Sequence, residues 1–127
     1  MNCVYIINNN TNKNLSYKIK NIVFNKLKDK YNEFNYKIVY TIPTDNNSIY
    51  YFLKKKYDNK LLEEIKKNNN YLIYEPLDID WDKYKTIKDY IENNLNYFNL
   101  FDEIICNNNN MAIKLKEFGY NKNLSVI

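Results

Sequence analysis

Short apolar runs alternate with longer stretches of helical periodicity from one end of this 127-residue chain to the other. Each apolar run is short, continuous and bounded by polar residues or proline, which is typical of buried β-strands. The runs predict five strands, at Cys3–Ile7, Tyr36–Ile42, Tyr71–Tyr74, Glu103–Cys106 and Leu124–Ile127. Because proline cannot donate a ladder hydrogen bond, Pro43 and Pro76 should end the second and third strands.

The segments between the first three strands repeat apolar residues at helical spacing. After a polar loop at Asn8–Asn14, a long helix is predicted, with an apolar face of Leu15, Ile19, Ile22, Val23, Leu27, Tyr31 and Phe34. A second helical region is predicted to start at Asp45–Ser48 and to contain a break at Asp58-Asn59. Its apolar positions are Ile49, Phe52, Leu53, Leu61, Leu62 and Ile65.

Two further helices are predicted in the second half of the chain. Asp82 can cap the first, whose apolar face is Tyr84, Ile87, Ile91, Leu95 and Phe98. Asn108 or Asn109 can cap the second, which is short and carries Met111, Leu115 and Phe118. Gly119 follows it at the C′ position, where the left-handed backbone conformation favours glycine.

Strands separated by helices predict an α/β fold, here a Rossmann-like three-layer sandwich of about five parallel strands flanked by helices on both faces. Right-handed crossovers restrict the topology to the doubly wound family, and we expect the strand order 3-2-1-4-5. No linker interrupts the pattern, so residues 1–127 form a single domain.

Several kinds of active site are excluded by the residues that the chain lacks. It contains neither His nor Arg, and only one Gly. Catalysis by Ser-His-Asp or Cys-His, His-bearing metal sites, the GxGxxG dinucleotide loop and the P-loop are therefore absent from it. The heavy use of Asn, Lys, Tyr and Ile is typical of an AT-rich genome, so the composition reflects codon bias as much as function.

The net charge of +4 is carried by lysine alone. Lys54–Lys56 and Lys66–Lys67 could contact phosphates, but a solvated helix face explains them better, and a nucleic-acid partner is not expected. No apolar run approaches the roughly 20 residues of a membrane span, and no signal peptide is evident. Cys3 and Cys106 lie at opposite ends of predicted strands, so we expect reduced thiols and a cytoplasmic protein.

In an open parallel sheet, ligands bind at the carboxyl ends of the strands. The residues predicted there are rich in amides and carboxylates, which suit hydroxyl-rich ligands. They are Asn8, Asn9, Asn10, Thr44, Asp45, Glu75, Asp78, Asp80, Trp81, Asn107 and Asn108. Helix capping is the simpler explanation for Asp45, Asn107 and Asn108. A solvated loop explains the three carboxylates after the third strand about as well as a site does, and their spacing matches no ion-binding loop, so no metal is expected.

The segment FDEIICNNNNMAIKLKEFGYNKNLSVI resembles a pattern in the N-terminal domain of GT-B glycosyltransferases. In that pattern Asp-x-Ile-Ile leads to a small polar residue, an apolar-faced helix, a Gly and a strand. The matching positions are Asp102, Ile104, Ile105, Asn107, Met111, Leu115, Gly119, Val126 and Ile127. The chain departs from the family in having Asn and Thr, rather than a Gly-rich loop, after its first strand.

The resemblance implies an acceptor-side domain that helps to transfer sugar from a nucleotide-sugar donor to a hydroxyl acceptor. Its partners would be a sugar or glycan acceptor and, through a second domain outside this chain, a sugar nucleotide; no other cofactor is implied. Glu75 or Asp78 would be the carboxylate that takes the acceptor proton, with Asp80 and Trp81 beside it. The chain by itself would be inactive.

Two other functions remain open from the sequence. The first is a flavodoxin-like or receiver-like module that binds a partner without chemistry, although Asn after the first strand fits a receiver poorly. The second is a small nucleic-acid-binding domain, which only the charge supports. An apolar edge strand at Leu124–Ile127 could also pair with a second copy of the chain.

Overall fold

A computed structural model describes residues 3–7, 35–53, 56–76, 86–106 and 108–126. These residues contain six β-strands, all parallel and all in one sheet. The strands are β1 Cys3–Ile7, β2 Asn35–Val39, β3 Ile49–Leu53, β4 Tyr71–Glu75, β5 Glu103–Cys106 and β6 Asn123–Val126. The α/β Rossmann-like fold expected from the sequence is confirmed. The five predicted strands are present, with ends that shift by up to three residues.

The strand β3 occupies a segment that the sequence analysis assigned to a helix, and that prediction was wrong. Ile49–Leu53 reads IYYFL, and all five residues are buried. A strand that is covered on both faces needs a continuous apolar run, and part of such a run can coincide with helical spacing. The helix begins only at Asn59, after Asp58, where the sequence indicated a break.

The strand order is β2-β1-β3-β4-β5-β6, so the expected order 3-2-1-4-5 was also wrong. The error follows from the missed strand, because β3 pairs with β1 at Val4↔Ile49 and separates it from the later strands. β2 lies on one side of β1, and β3, β4, β5 and β6 follow one another on its other side. The point at which the order reverses therefore lies between β1 and β3.

The described helices are α1 Asn59–Lys67, α2 Ile87–Phe98 and α3 Asn109–Glu117. The cap of α2 is Thr86, whose hydroxyl oxygen accepts a 3.2 Å hydrogen bond from the Asp89 N–H, rather than the predicted Asp82, which lies outside the described residues. Gly119 follows α3 with φ of 116°, as the sequence predicted. The long helix predicted over Leu15–Phe34 lies outside the described residues as well.

All three described helices pack on one face of the sheet, which we call the helix-covered face. Leu62 of α1, Ile91 of α2 and Leu115 of α3 share its core with alternate strand residues such as Tyr50 and Leu72. A second cluster of buried residues occupies the opposite face and consists of Val4, Ile6, Ile49, Tyr51, Leu53, Ile73 and Ile105. Burial on both faces explains why the central strands read as uninterrupted apolar runs.

Aromatic rings fill much of the helix-covered face. The ring of Tyr74 on β4 stacks on Phe101 with centroids 4.9 Å apart, and Tyr97 of α2 meets both rings edge-on. The backbone N–H of Tyr57 donates to the Tyr97 hydroxyl at 3.0 Å, so this buried oxygen has a partner. Tyr90 and Tyr97 of α2 are buried, so these tyrosines belong to the core of the helix-covered face.

Candidate functional site

The carboxyl ends of the parallel strands meet at one edge of the sheet, where the fold favours ligand binding. Three described residues from the predicted site or its surroundings lie at that edge. Glu75 is the last residue of β4, Cys106 is the last residue of β5, and Asn108 immediately precedes α3. Of the candidates that the sequence placed at this edge, Glu75 and Asn108 are therefore found there.

Glu75 is the carboxylate at this edge that combines burial with an incomplete set of hydrogen bonds. Its exposed fraction is 5%, and the hydroxyl of the fully buried Tyr51 donates to its Oε1 atom. No described residue donates a hydrogen bond to its Oε2 atom. Within the described residues Oε2 is therefore able to accept a hydrogen bond from a ligand hydroxyl.

The surroundings of Glu75 change its acidity in two opposing ways. Burial raises the pKa of the Glu75 carboxyl, and the hydrogen bond from Tyr51 lowers this pKa in part. Burial, together with the charge of Glu75, raises the pKa of the Cys106 thiol to about 11. Cys106 therefore remains a neutral thiol at physiological pH and is not a nucleophile.

Asn108 serves as a helix cap. Its side-chain oxygen accepts a 2.8 Å hydrogen bond from the backbone N–H of Met111, which satisfies an amide of the first turn of α3. Of the two explanations that the sequence left open for Asn108, helix capping is the one that this contact supports.

Asp45 lies at the other end of the sheet, against the amino ends of the strands. Its Oδ2 atom accepts hydrogen bonds from the Tyr5 hydroxyl at 2.7 Å and from Ser48 Oγ at 3.3 Å. Its backbone oxygen accepts from Asn70, which immediately precedes β4. The segment after β2 has thus already crossed to the amino end of β3, so Asp45 and its exposed neighbour Thr44 do not join Glu75 in one site.

Both oxygens of the Asp45 carboxylate accept hydrogen bonds within the fold. The hydrogen bond from Tyr5 is the main reason that the pKa of Asp45 is lowered, and the Asn46 N–H adds to the effect. No helix begins at this segment, so the predicted capping role is replaced by bonds that fasten the connection to β1 and β3.

The remaining predicted site residues lie outside the part of the chain that the structure describes. They are Asn8, Asn9, Asn10, Asp78, Asp80, Trp81 and Asn107.

Two polar residues on the opposite face were missed by the sequence analysis. Tyr51 was overlooked because its segment was predicted to be helical. Glu103 was assigned only to a strand, although it is 1% exposed and accepts hydrogen bonds from the Tyr71 hydroxyl at 3.0 Å and from Ser125 Oγ at 2.9 Å. A Glu within an otherwise apolar strand was the available signal, because a buried carboxylate requires partners on neighbouring strands.

Lysines that the sequence offered as phosphate contacts have partners within the fold. Lys66 forms an ion pair with Asp102, and the Lys67 ammonium lies 3.8 Å from Glu64. The Lys56 ammonium lies 3.3 Å from the Asn94 oxygen and 5.3 Å from the centre of the Tyr97 ring. Lys66 and Lys67 lie in the last turn of α1 and Lys56 precedes this helix, while Lys54 and Lys55 lie outside the described residues.

Within the described ranges, no three His, Cys, Asp or Glu side chains are grouped so that they could hold a metal ion. No helix in the same ranges is long and apolar enough to cross a membrane. Neither a scan of protein-family models nor a search of curated proteins found a match to this chain.

Proposed function

We propose that this chain is the N-terminal, acceptor-side domain of a GT-B glycosyltransferase, and that Glu75 takes the proton from the acceptor hydroxyl. The observation that carries the proposal is the carboxylate of Glu75, which is buried at the carboxyl end of β4 and has a described hydrogen-bond donor only on Oε1. A ligand hydroxyl that donates to Oε2 would form a hydrogen bond to a charged group, which is stronger than a hydrogen bond between neutral groups.

The chemical step follows from that contact. The acceptor hydroxyl oxygen attacks the anomeric carbon of the donor sugar, its proton passes to Glu75 Oε2, and the nucleotide leaves with the electron pair of the broken bond. Burial raises the pKa of Glu75, so its carboxylate is a stronger base than that of an exposed glutamate. A stronger base favours transfer of the acceptor proton. The sugar nucleotide and the domain that holds it are supplied from outside this chain.

Features of the segment that resembles the family also support the proposal. Asn108 caps α3, and Gly119 follows its C-terminal end. The helix connects β5 to β6, and these two strands pair in parallel. Architecture alone is shared by proteins of many functions, so the Glu75 carboxylate, rather than the sheet, supports the proposed activity. Asp78 follows Glu75 closely in the sequence and is the alternative base, although it lies outside the described residues.

The proposal is tested by NMR titration of the 127-residue chain with methyl α-glucoside, methyl α-mannoside, methyl α-galactoside and UDP-glucose. We expect a methyl glycoside to shift the amide signals of Glu75 and its neighbours, and we expect Glu75→Gln to abolish the shifts. Glu103→Gln is the matched control, because Glu103 is also buried but both of its carboxylate oxygens already have donors. A folded chain whose spectrum responds to none of the glycosides would contradict the proposal.

A non-catalytic flavodoxin-like binding module is a second candidate, which one observation favours. The first five strands follow the order β2-β1-β3-β4-β5, the order of the flavodoxin-like sheet. A receiver is less well supported, because the sequence after β3 continues with Lys54 and Lys55 where a phosphoacceptor Asp would be needed. Titration with flavin mononucleotide, followed by flavin fluorescence, tests the module: binding would favour it over the glycosyltransferase domain.

A further inference from the structure

One hydroxyl group fixes the position of the Glu75 carboxylate. In the parallel pairing of β3 with β4, Leu53 lies opposite Glu75 and Tyr51 lies opposite Ile73. Since side chains alternate between the faces of a sheet, Tyr51 and Glu75 share the opposite face as diagonal neighbours. The Tyr51 ring is buried among Ile49, Leu53 and Ile73, so its hydroxyl has little freedom to move away from Glu75.

We propose that Tyr51 is a positioning residue for Glu75, holding Oε1 so that Oε2 is the oxygen that meets the acceptor hydroxyl. The inference rests on the proposed function, in which Glu75 receives the acceptor proton. It adds a residue that touches no substrate and acts only through the carboxylate.

The comparison with Glu103 distinguishes this arrangement from an ordinary buried carboxylate. Glu103 lies on the same face, and both of its oxygens accept hydrogen bonds, from Tyr71 on β4 and from Ser125 on β6. Those bonds join three strands and give each carboxylate oxygen of Glu103 a donor. Glu75 has the same type of tyrosine donor on one oxygen and no described donor on the other.

The Tyr51 hydroxyl also remains a donor under all relevant conditions. Burial, followed by the charge of Glu75, raises the pKa of Tyr51 well above its usual value, so the hydroxyl keeps its proton. Its hydrogen bond favours the ionised form of Glu75 and opposes the effect of burial. Tyr51 thus holds the carboxylate in one orientation and helps to keep it able to accept a proton.

The test compares the 127-residue wild-type chain with Tyr51→Phe, which removes only the hydroxyl. The carboxyl carbon of Glu75 is followed by NMR as a function of pH, and the Kd of the methyl glycosides is measured by titration. We expect Tyr51→Phe to move the Glu75 midpoint upward and to weaken glycoside binding about tenfold, as the loss of a hydrogen bond to a charged group would. Tyr71→Phe removes the matched hydroxyl from Glu103 and should leave both readouts unchanged.

The outcomes separate this inference from the proposed function. If Tyr51→Phe is folded and changes neither the midpoint nor the Kd, while Glu75→Gln abolishes binding, Tyr51 is only a core residue and the proposed function stands. If no glycoside binds the wild-type chain, the proposed function fails, and the acceptor role given to Tyr51 fails with it.

A measurement on the wild-type chain replaces the variant if Tyr51→Phe does not fold. The hydroxyl proton of Tyr51 should exchange slowly with water, and its chemical shift should follow the same midpoint as the Glu75 carboxyl carbon. A hydroxyl shift that stays constant while Glu75 titrates would overturn the inference.

Discussion

The carboxylate of Asp102 accepts a 2.8 Å hydrogen bond from the backbone N–H of Leu72, the second residue of β4. Its other oxygen pairs with the ammonium of Lys66 at the end of α1. The backbone of Asp102 adds to this junction, because its N–H donates to the Leu72 oxygen and its own oxygen accepts from the Asn123 N–H. One residue thus connects α1, β4 and β6 at the amino end of the sheet.

We expect Asp102→Ala to lower the free energy of unfolding by about 1–3 kcal/mol, because it leaves the Leu72 N–H without its acceptor. Lys66→Ala should cost less than about 1 kcal/mol, since the lysine side chain is 42% exposed and solvent screens the pair. Urea denaturation of both variants measures the difference. Lys67→Ala is the control, with no expected effect, and equal losses in Asp102→Ala and Lys66→Ala would contradict the assignment.

The pH dependence of stability should reveal the buried state of Glu75. A carboxyl whose pKa is raised on folding binds its proton more tightly in the native state, so its contribution to stability falls as pH rises from the unfolded pKa through the native one. Relative to wild type, Glu75→Gln should therefore become more stable as pH is raised from 4 to 8. Denaturation at a series of pH values measures this trend, and a wild-type-to-variant difference that is flat with pH would contradict it.

Asp45 should show the opposite dependence. The pKa of Asp45 is lowered on folding, chiefly by the Tyr5 hydroxyl, so its contribution is present above the unfolded pKa and is lost as pH falls through the native one. Tyr5→Phe should destabilise the chain more at pH 7 than at pH 3, because lowering the pH towards and through the native pKa of Asp45 progressively protonates the carboxyl and removes what the ionised form gains from the bond. A penalty for Tyr5→Phe that is the same at both pH values would show that the hydroxyl does not act through the Asp45 charge.

Gly119 should tolerate no side chain at its position. Its φ of 116° is unfavourable for residues with a Cβ atom, and a Cβ placed there would lie 3.1 Å from Leu95 Cδ2. We expect Gly119→Ala to cost about 1–3 kcal/mol, measured by urea denaturation. The double variant Gly119→Ala/Leu95→Ala separates the two causes: if the glycine penalty persists without the leucine side chain, backbone strain dominates.

Ser125 should control the local stability of the edge strand β6. Its hydroxyl donates to Glu103 Oε2 and links β6 to β5 through a buried carboxylate. Ser125→Ala should raise the hydrogen-exchange rates of β6 amides about tenfold, because the lost bond favours local opening of the edge. NMR exchange measurements on β1, which lies inside the sheet, provide the internal control, and equal acceleration in both strands would indicate a global effect instead.

The sequence predicted a strand well where polar residues marked both of its ends. Glu103–Cys106 is flanked by polar residues and by a true helix cap, and its predicted bounds match those of β5. Ile49–Leu53 failed because a strand buried on both faces carries no alternation, so its residues also fit a helical pattern. The predicted strand order was therefore also wrong, because the missed strand is the one that pairs with β1.

The candidate site was predictable only in part. Glu75 was identified because it ends an apolar run, and strand ends are recognisable from sequence. Its partner Tyr51 depends on the parallel register between β3 and β4, which brings together residues that are 24 positions apart in the chain. Asp45 was assigned to the wrong end of the sheet because a short connection without a helix returns to the amino end within a few residues.

That connection between β2 and β3 also has a consequence for engineering. Asp45 is bonded to Tyr5 of β1, to Tyr50 of β3 and to Asn70 before β4, so the segment is held by three separate parts of the sheet. A circular permutant opened at Asn46 would have to form all three attachments from a free end. The connection between β2 and β3 thus links three parts of the sheet, and new termini or inserted domains are better placed elsewhere on the surface.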